Sequence, residues 1–295
     1  MNRWLLFGLG TVVVVVATAA AGVAVGERLA VQRAQRLVKV DVQPVAYSSE
    51  APALERGRYL YASRGCADCH GNDGGGRTLV DDGQGTRLAG PNITQGNPEM
   101  AAYTEVDWVR SIRHGVAPSG RPLRLMPSED YNRLTDDDLA ALVAHVRQLP
   151  PASGNRKGTI ELPLPARVLY GFGAIPEAFE KIDHGLPPNQ PVSEGPSVVH
   201  GAYVAQMCLG CHGPKLAGGR IPGGPPDWPP AARLAPGEGS VMPRYADDVA
   251  FKQMLKTGKR PDGTPIAVMP FESLAQMSDT DATALFLYLK SQQGS

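Results

Sequence analysis

The sequence has little cysteine, few aromatic residues and no net charge. Phe, Tyr and Trp together make up only 6% of 295 residues, so no large aromatic core organises the chain. Lys plus Arg number 29 and Asp plus Glu number 29. Without a basic excess, nucleic-acid binding has no compositional support. No alternating apolar/polar run of strand type appears after residue 40, which argues against a sheet-built fold. What is plentiful is Gly, at 34, and Pro, at 27, so loop-rich units are expected. A hydrophobic content of 42% excludes disorder for most of the chain. The length accommodates two modest domains.

One long uncharged run is present, Trp4 to Gly26. As a helix rising about 1.5 Å per residue it reaches roughly 34 Å, enough to cross a hydrocarbon core of ~30 Å. A cleaved signal peptide is the competing reading, since Ala17-Thr18-Ala19 fits an A-x-A cleavage site. The run is longer than the ~7–15 residues of a usual signal core, which favours a retained anchor. Residues 27–40 then hold Arg28, Arg33, Arg36 and Lys39 against Glu27. By the positive-inside rule alone, this side of the run would face the cytoplasm.

The sequence repeats. HGVAPSGRPLRLMP (114–127) lies over TGKRPDGTPIAVMP (257–270) at an offset of 143, and LTDDDLAALVAHVRQL (134–149) over MSDTDATALFLYLKSQ (277–292) at the same offset. The latter two read as helices, with Thr135–Asp138 and Ser278–Asp281 as capping boxes. Shorter helices are expected over Leu54–Arg64, Val106–His114, Val199–Met207 and Val249–Thr257, with Gly115 and Gly258 as C-terminal stops. The resulting division is an anchor at 1–26, a linker at 27–52, a first domain at 53–150, a Pro-rich linker at 151–196 and a second domain at 197–295. Within the second linker, Leu169–Phe172 and Ile175–Phe179 are too apolar for a fully solvated tether.

All four cysteines fall in two matching stretches, GCADCHG (65–71) and MCLGCHG (207–213). A thioredoxin-like redox pair needs a βαβ context and has no use for the histidine. A zinc site needs four ligands, and each motif offers three. Covalent attachment of haem c uses every residue. Cys66 and Cys69, and again Cys208 and Cys211, would add to the two haem vinyl groups, and His70 and His212 would ligate iron. Two covalently attached haem c groups are therefore expected. In bacteria this chemistry requires export, which places the motifs in the periplasm and outweighs the charge asymmetry beside the anchor.

The sixth ligand is sought among eight methionines. Only Met126 and Met269 obey the repeat, each before a proline and after a Gly/Pro-rich loop. Met242 is the rival in the second domain; it aligns with a glutamate in the first. His114, His145, His184 and His200 do not repeat as ligands and are read as surface or packing residues. Lys252, Lys256, Lys259 and Arg260 precede the Met269 loop, as a solvated helix face or as a rim that steers an acidic partner.

Each repeat resembles a class I cytochrome c domain: a helix, C-x-x-C-H, a loop, a helix, a Met-Pro loop and a closing helix. The resemblance implies an all-α fold of two tandem class I cytochrome c domains behind an N-terminal transmembrane helix. LAGPNIT (88–94) is similar to the family's Gly-Pro-Asn-Leu loop, which implies that the Pro91 carbonyl accepts from His70 Nδ1–H. RLAPG (233–237) implies the same of Pro236 for His212. The LPLPARVLYGF linker is similar to cytochrome subunits of bacterial membrane-bound alcohol, aldehyde and sugar dehydrogenases. Those subunits usually carry three haems and a C-terminal membrane-associated segment; here there are two motifs and an N-terminal apolar run.

The expected function is a single-pass inner-membrane cytochrome, non-catalytic itself, that relays single electrons in the periplasm. Its redox partners would be a dehydrogenase, a quinol-oxidising complex or a terminal oxidase. The alternative is a dihaem peroxidase-like or thiosulfate-oxidising enzyme, which needs a labile sixth ligand.

Overall fold

A computed structural model describes residues 3–153, 157–222, 224–225 and 227–292. The outer domain bounds at Met1 and Ser295 lie outside the described residues. The apolar run forms helix α1 (Arg3–Gln35), which continues without a break past Gly26. Its stretch Gly10–Gln35 is long and apolar enough to cross a membrane. The first linker is therefore not a free tether. Residues 27–35 are helical, Val38 N–H donates to the Gly120 carbonyl at 2.8 Å, and Val42, Val45 and Tyr47 pack on the core beyond. Apolar side chains at these positions cost less buried than solvated, so the segment lies down as a strap.

The first helical unit comprises α2 (Ala51–Ser63), α3 (Cys66–His70), α4 (Pro98–Ala101), α5 (Glu105–His114), α6 (Ser128–Tyr131) and α7 (Asp136–Gln148). Thr104 and Asp107 close a reciprocal capping box on α5, and Gly115 ends it at φ 63°. Helix α2 crosses α7 at very short range. A Cβ on Gly57 would lie 1.9 Å from the Ala141 carbonyl oxygen, so only glycine fits there. Leu60, Val109, Leu139, Leu142, Val143 and Val146 fill the core around this crossing, each worth roughly 1.5–3 kcal/mol on burial.

The all-α expectation needs one correction. Strands β1 (Thr78–Asp81), β2 (Arg87–Ala89) and β3 (Thr159–Glu161) form a small antiparallel sheet in that order. Strands of three and four residues, mostly half-exposed or exposed, carry no readable alternation. Strand β3 belongs to the Pro-rich linker, which is thereby pinned to the first unit. Helix α8 (Leu164–Gly171) packs on α1, and Arg36, just past the end of α1, pairs with Glu177, before α9 (Ala178–Lys181), and with Glu180 within it.

The second unit holds α10 (Val198–Val204), which tightens into a 3₁₀ turn over Ala205–Cys208, then α11 (Leu209–His212), α12 (Asp248–Thr257), α13 (Phe271–Leu274) and α14 (Asp279–Ser291). Its core is separate, built on Met242, Phe251, Leu255, Leu285 and Leu289. The crossing of α10 and α14 copies that of α2 and α7: a Cβ on Gly201 would lie 1.9 Å from the Ala284 carbonyl oxygen.

The units interlock through their cap residues. Thr135 and Ser278 accept from the Asp138 and Asp281 N–H groups, each at 3.1 Å. Asp138 and Asp281, expected to reach back to the caps, serve the interface. Tyr59 donates to Asp281 at 2.6 Å, and Tyr203 donates to Asp138 at 2.6 Å. Arg56 reaches Asp138 at 2.7 Å, and buried Arg64 pairs with buried Asp281. Burial works against the Asp281 charge, but the Arg64 guanidinium, the Tyr59 hydroxyl and His200 together outweigh it and hold the carboxyl below the usual carboxylate range.

Candidate haem-attachment sites

Gly65, at φ 84°, turns the chain sharply out of α2 into Cys66–His70. The one-turn helix places both thiols and the imidazole on successive positions of one short segment. His70 Nδ1 lies 2.9 Å from the Pro91 carbonyl oxygen. In the second unit, His212 Nδ1 lies 2.7 Å from a carbonyl, but it is that of Ala232. The expectation of Pro236 there is corrected: its carbonyl accepts from Arg233 Nε at 2.9 Å and from a second Arg233 nitrogen at 2.7 Å. The RLAPG stretch lacks the glycine of RLAGPN, and the register shifts so that the carbonyl before Arg233 is presented.

Burial lowers both imidazoles below the ordinary histidine range, opposed in part by these carbonyls. A neutral ring whose Nδ1–H is held by a carbonyl presents an unprotonated Nε2, the form that ligates a metal. Burial pushes the Cys66 and Cys208 thiols up to about 12 and that of Cys69 to about 11, with neighbouring acidic groups adding to the effect. None of the four cysteines is in a disulfide.

Met126 and Met269 are half-buried at the edge of their units' cores, while Met242 is fully buried within the second core. In the first core the Trp108 indole N–H is buried without a partner, a polar atom that a bound group can satisfy. Among the described residues no cluster of three or more His, Cys, Asp or Glu side chains is arranged to hold a metal ion. Two thiols and one imidazole per motif, a half-buried thioether at each core edge and, in the first unit, an unpaired buried indole N–H fit haem c.

Each attachment helix also touches the opposite unit. Asp68, between Cys66 and Cys69, accepts from Ser273 Oγ of α13 at 2.6 Å. The Gly210 N–H, between Cys208 and Cys211, donates to Asp130 of α6 at 2.6 Å. Asp130 and Ser273 occupy equivalent places after the two Met-Pro pairs. The two motifs therefore face a common interface rather than opposite ends of the molecule. Burial, foremost, pushes the Asp130 carboxyl up to about 8, against the Gly210 N–H.

Of the remaining expectations, His200 is buried, with Nε2 3.1 Å from Asp281 Oδ1, and His114 meets His184 at 3.0 Å. Lys252 and Lys256 are engaged with Asp248 and Asp279, at 2.8 and 3.1 Å. The interface residues Tyr59, Arg64, Asp130 and Tyr203 escaped the sequence reading. The spacing of Tyr59 and Tyr203, 144 apart and each ahead of a cysteine pair, is the signal that could have found two of them.

Residues 52–146 match the family model of cytochrome c oxidase, cbb3-type, subunit III. The fructose dehydrogenase cytochrome subunit of Gluconobacter japonicus is 28% identical over 278 residues, 84% of this chain and 54% of that one. The gluconate 2-dehydrogenase cytochrome c subunit of Pantoea cypripedii is 28% identical over 274 residues, 81% and 59% of the two chains. The cytochrome c subunit of the alcohol dehydrogenase (quinone) of Gluconobacter oxydans is 27% identical over 280 residues, 83% and 56%. The chain thus spans about half the length of the curated relatives it matches. By these matches the first unit is similar to a cytochrome c domain, and the chain is similar over most of its length to cytochrome c subunits of fructose, gluconate and alcohol dehydrogenases.

Proposed function

We propose that the chain is a membrane-anchored dihaem cytochrome c that relays single electrons in the periplasm, as a subunit or partner of a dehydrogenase. The observation that carries this reading is the paired Cys-x-x-Cys-His helices, each with its histidine Nδ1 on a backbone carbonyl and each seated on the other unit. When bound, haem supplies a one-electron iron couple.

The residues divide the remaining work. Cys66, Cys69, Cys208 and Cys211 hold the two groups covalently. His70 with Met126, and His212 with Met269, are the residues that would hold the two irons, and ligands of this kind would suit electron transfer rather than substrate binding. The carbonyls of Pro91 and Ala232 fix the imidazole planes and raise their basicity as ligands. Arg64, Tyr59, Tyr203, Asp138 and Asp281 tie the two units together, which would keep groups held in them at a fixed spacing. The relatives are named as subunits of dehydrogenases, which supports a dehydrogenase as electron donor. A quinol-oxidising complex or terminal oxidase is the matching class of onward partner.

The test is purification from membranes in mild detergent. Intact mass should show two haem additions with the N-terminal run retained, and the ferric spectrum should show a methionine-sulfur charge-transfer band for both haems. High-spin features in either haem would overturn the relay reading in favour of an enzyme. Mass spectrometry of co-purifying proteins identifies the donor.

A further inference from the structure

Helix α8 sits at a particular height on α1. Gly171 packs against Gly26 and Ala30: a Cβ on Gly171 would lie 2.1 Å from the Gly26 carbonyl oxygen and 2.9 Å from the Ala30 nitrogen. Val168 Cγ1 and Phe172 Cε2 reach to 2.8 and 2.9 Å of where a Gly26 Cβ would stand. Gly26 is also the last residue of the uncharged run that begins at Trp4. A span of roughly 34 Å, laid across hydrocarbon of ~30 Å, puts Gly26 at the edge of the bilayer.

The contacts change character at that point. Past Gly26 they are polar: Glu27 pairs with Arg167 at 2.9 Å, Arg33 with the Tyr170 carbonyl at 2.8 Å and with Glu180, and Arg36 with Glu177 and with Glu180, the latter at 3.1 Å. On the outward side α8 is apolar. Leu164, Leu169 and Phe172 are 44%, 51% and 56% exposed, and Pro165 completes an i, i+4, i+7 stripe with the last two. The stripe has no charged residue, because Arg167 is drawn to Glu27. Val23 and Val25 of α1, within one turn before Gly26, are exposed as well, so apolar surface lies on the span next to where α8 packs.

We propose that α8 and Phe172 lie in the boundary of the bilayer that α1 crosses, on the side of the haem units, as a second membrane contact made by the linker between them. This rests on the reading of α1 as a retained membrane span. A stripe of large apolar side chains beside a span, with no protein cover, lowers its free energy by entering the acyl/headgroup boundary. The contact fixes orientation as well as attachment. Tyr170 of α8 stacks near the Arg124 guanidinium at 5.8 Å, and Gly120 accepts from Val38. The Met126 loop of the first unit is thereby held against the membrane-side platform, and the first unit is the one placed to meet a membrane-embedded partner.

The test uses the full-length haem-loaded chain in vesicles of phosphatidylcholine and phosphatidylglycerol. Spin labels are placed singly at Leu169→Cys and Phe172→Cys, with Val14→Cys in α1 and Val249→Cys in α12 as references; the native thiols are occupied by haem. Accessibility to oxygen and to a water-soluble nickel complex gives depth. Labels at 169 and 172 should favour oxygen and lie within about 5–10 Å of the boundary, while 14 lies deeper and 249 is aqueous. If 14 is deep and 169 and 172 match 249, the proposal fails and the anchor stands. Should 14 itself be aqueous, the anchor reading fails and the proposal with it. Shielding of 169 and 172 from both probes means that protein covers the stripe, which also overturns it.

Discussion

Tyr59 of the first unit donates to Asp281 of the second at 2.6 Å, and the equivalent Tyr203 donates back to Asp138 at 2.6 Å. The same aspartates lie at the third position of the helices that close the two cores, so each closing helix is tied to the other unit's leading helix. Tyr59→Phe and Tyr203→Phe should each cost about 1.5–3 kcal/mol, the range for a hydrogen bond to a charged group. Arg64→Met should cost more, about 3–5 kcal/mol, because it leaves Asp281 buried without its guanidinium. Calorimetry of the haem-loaded protein should show one transition in the parent chain and two in Arg64→Met. A single unshifted transition would mean that this pair does not couple the units.

Asp130 predicts a pH dependence. Burial, first of all, raises its carboxyl to about 8, so the folded protein keeps a proton that the unfolded chain releases near ~3.9. The folded state binds more protons between those values. Its contribution to stability is full below the unfolded pKa and is lost as pH rises toward about 8, with a slope of about 1.4 kcal/mol per pH unit. Asp130→Asn keeps an acceptor for the Gly210 N–H but cannot ionise. Denaturant titrations from pH 5 to 9 should show the parent chain losing stability relative to this variant as pH rises. Parallel curves would contradict the assignment.

Much of this arrangement was legible from the sequence because it is local. The two short Cys-x-x-Cys-His helices, the caps Thr135 and Ser278, and the stops Gly115 and Gly258 depend on residues within one turn of each other. The Pro91 carbonyl was reachable through a loop resemblance, and the failed analogue Pro236 shows the limit: the carbonyl that meets His212 is that of Ala232, before the matched stretch begins. The interface was not legible. Tyr59 and Asp281 are 222 positions apart, and nothing in local periodicity distinguishes an aspartate that caps its own helix from one that serves another unit. Strand β3 escaped for the same reason, since three residues gain strand character only from a partner some 70 positions earlier.

Gly57 and Gly201 test whether the two units are built alike. Each is the point at which two helix backbones meet, and an added Cβ would collide with a carbonyl oxygen at 1.9 Å. Gly57→Ala should destabilise the first unit and Gly201→Ala the second, each by about 1–3 kcal/mol or more. Limited proteolysis followed by mass spectrometry of haem-bearing fragments should show the altered unit cleaved first. Equal protection of both units in either variant would show that the crossing can relax.

The three Met-Pro methionines give the sharpest division between the repeat and the packing. Met126 and Met269 sit half-buried at equivalent core edges, whereas Met242 is sealed in the second core. Met126→Ala and Met269→Ala should each halve the ferric methionine-sulfur band, and the double variant should abolish it. Because a thioether ligand raises the potential of a haem, each single variant should lower one of two midpoint potentials and leave the other in place. Met242→Ala should instead lower thermal stability by about 2–5 kcal/mol through the cavity it opens, with the band intact. If Met242→Ala removes half the band and Met269→Ala does not, the second haem's ligand is Met242, and the repeat does not extend to its iron.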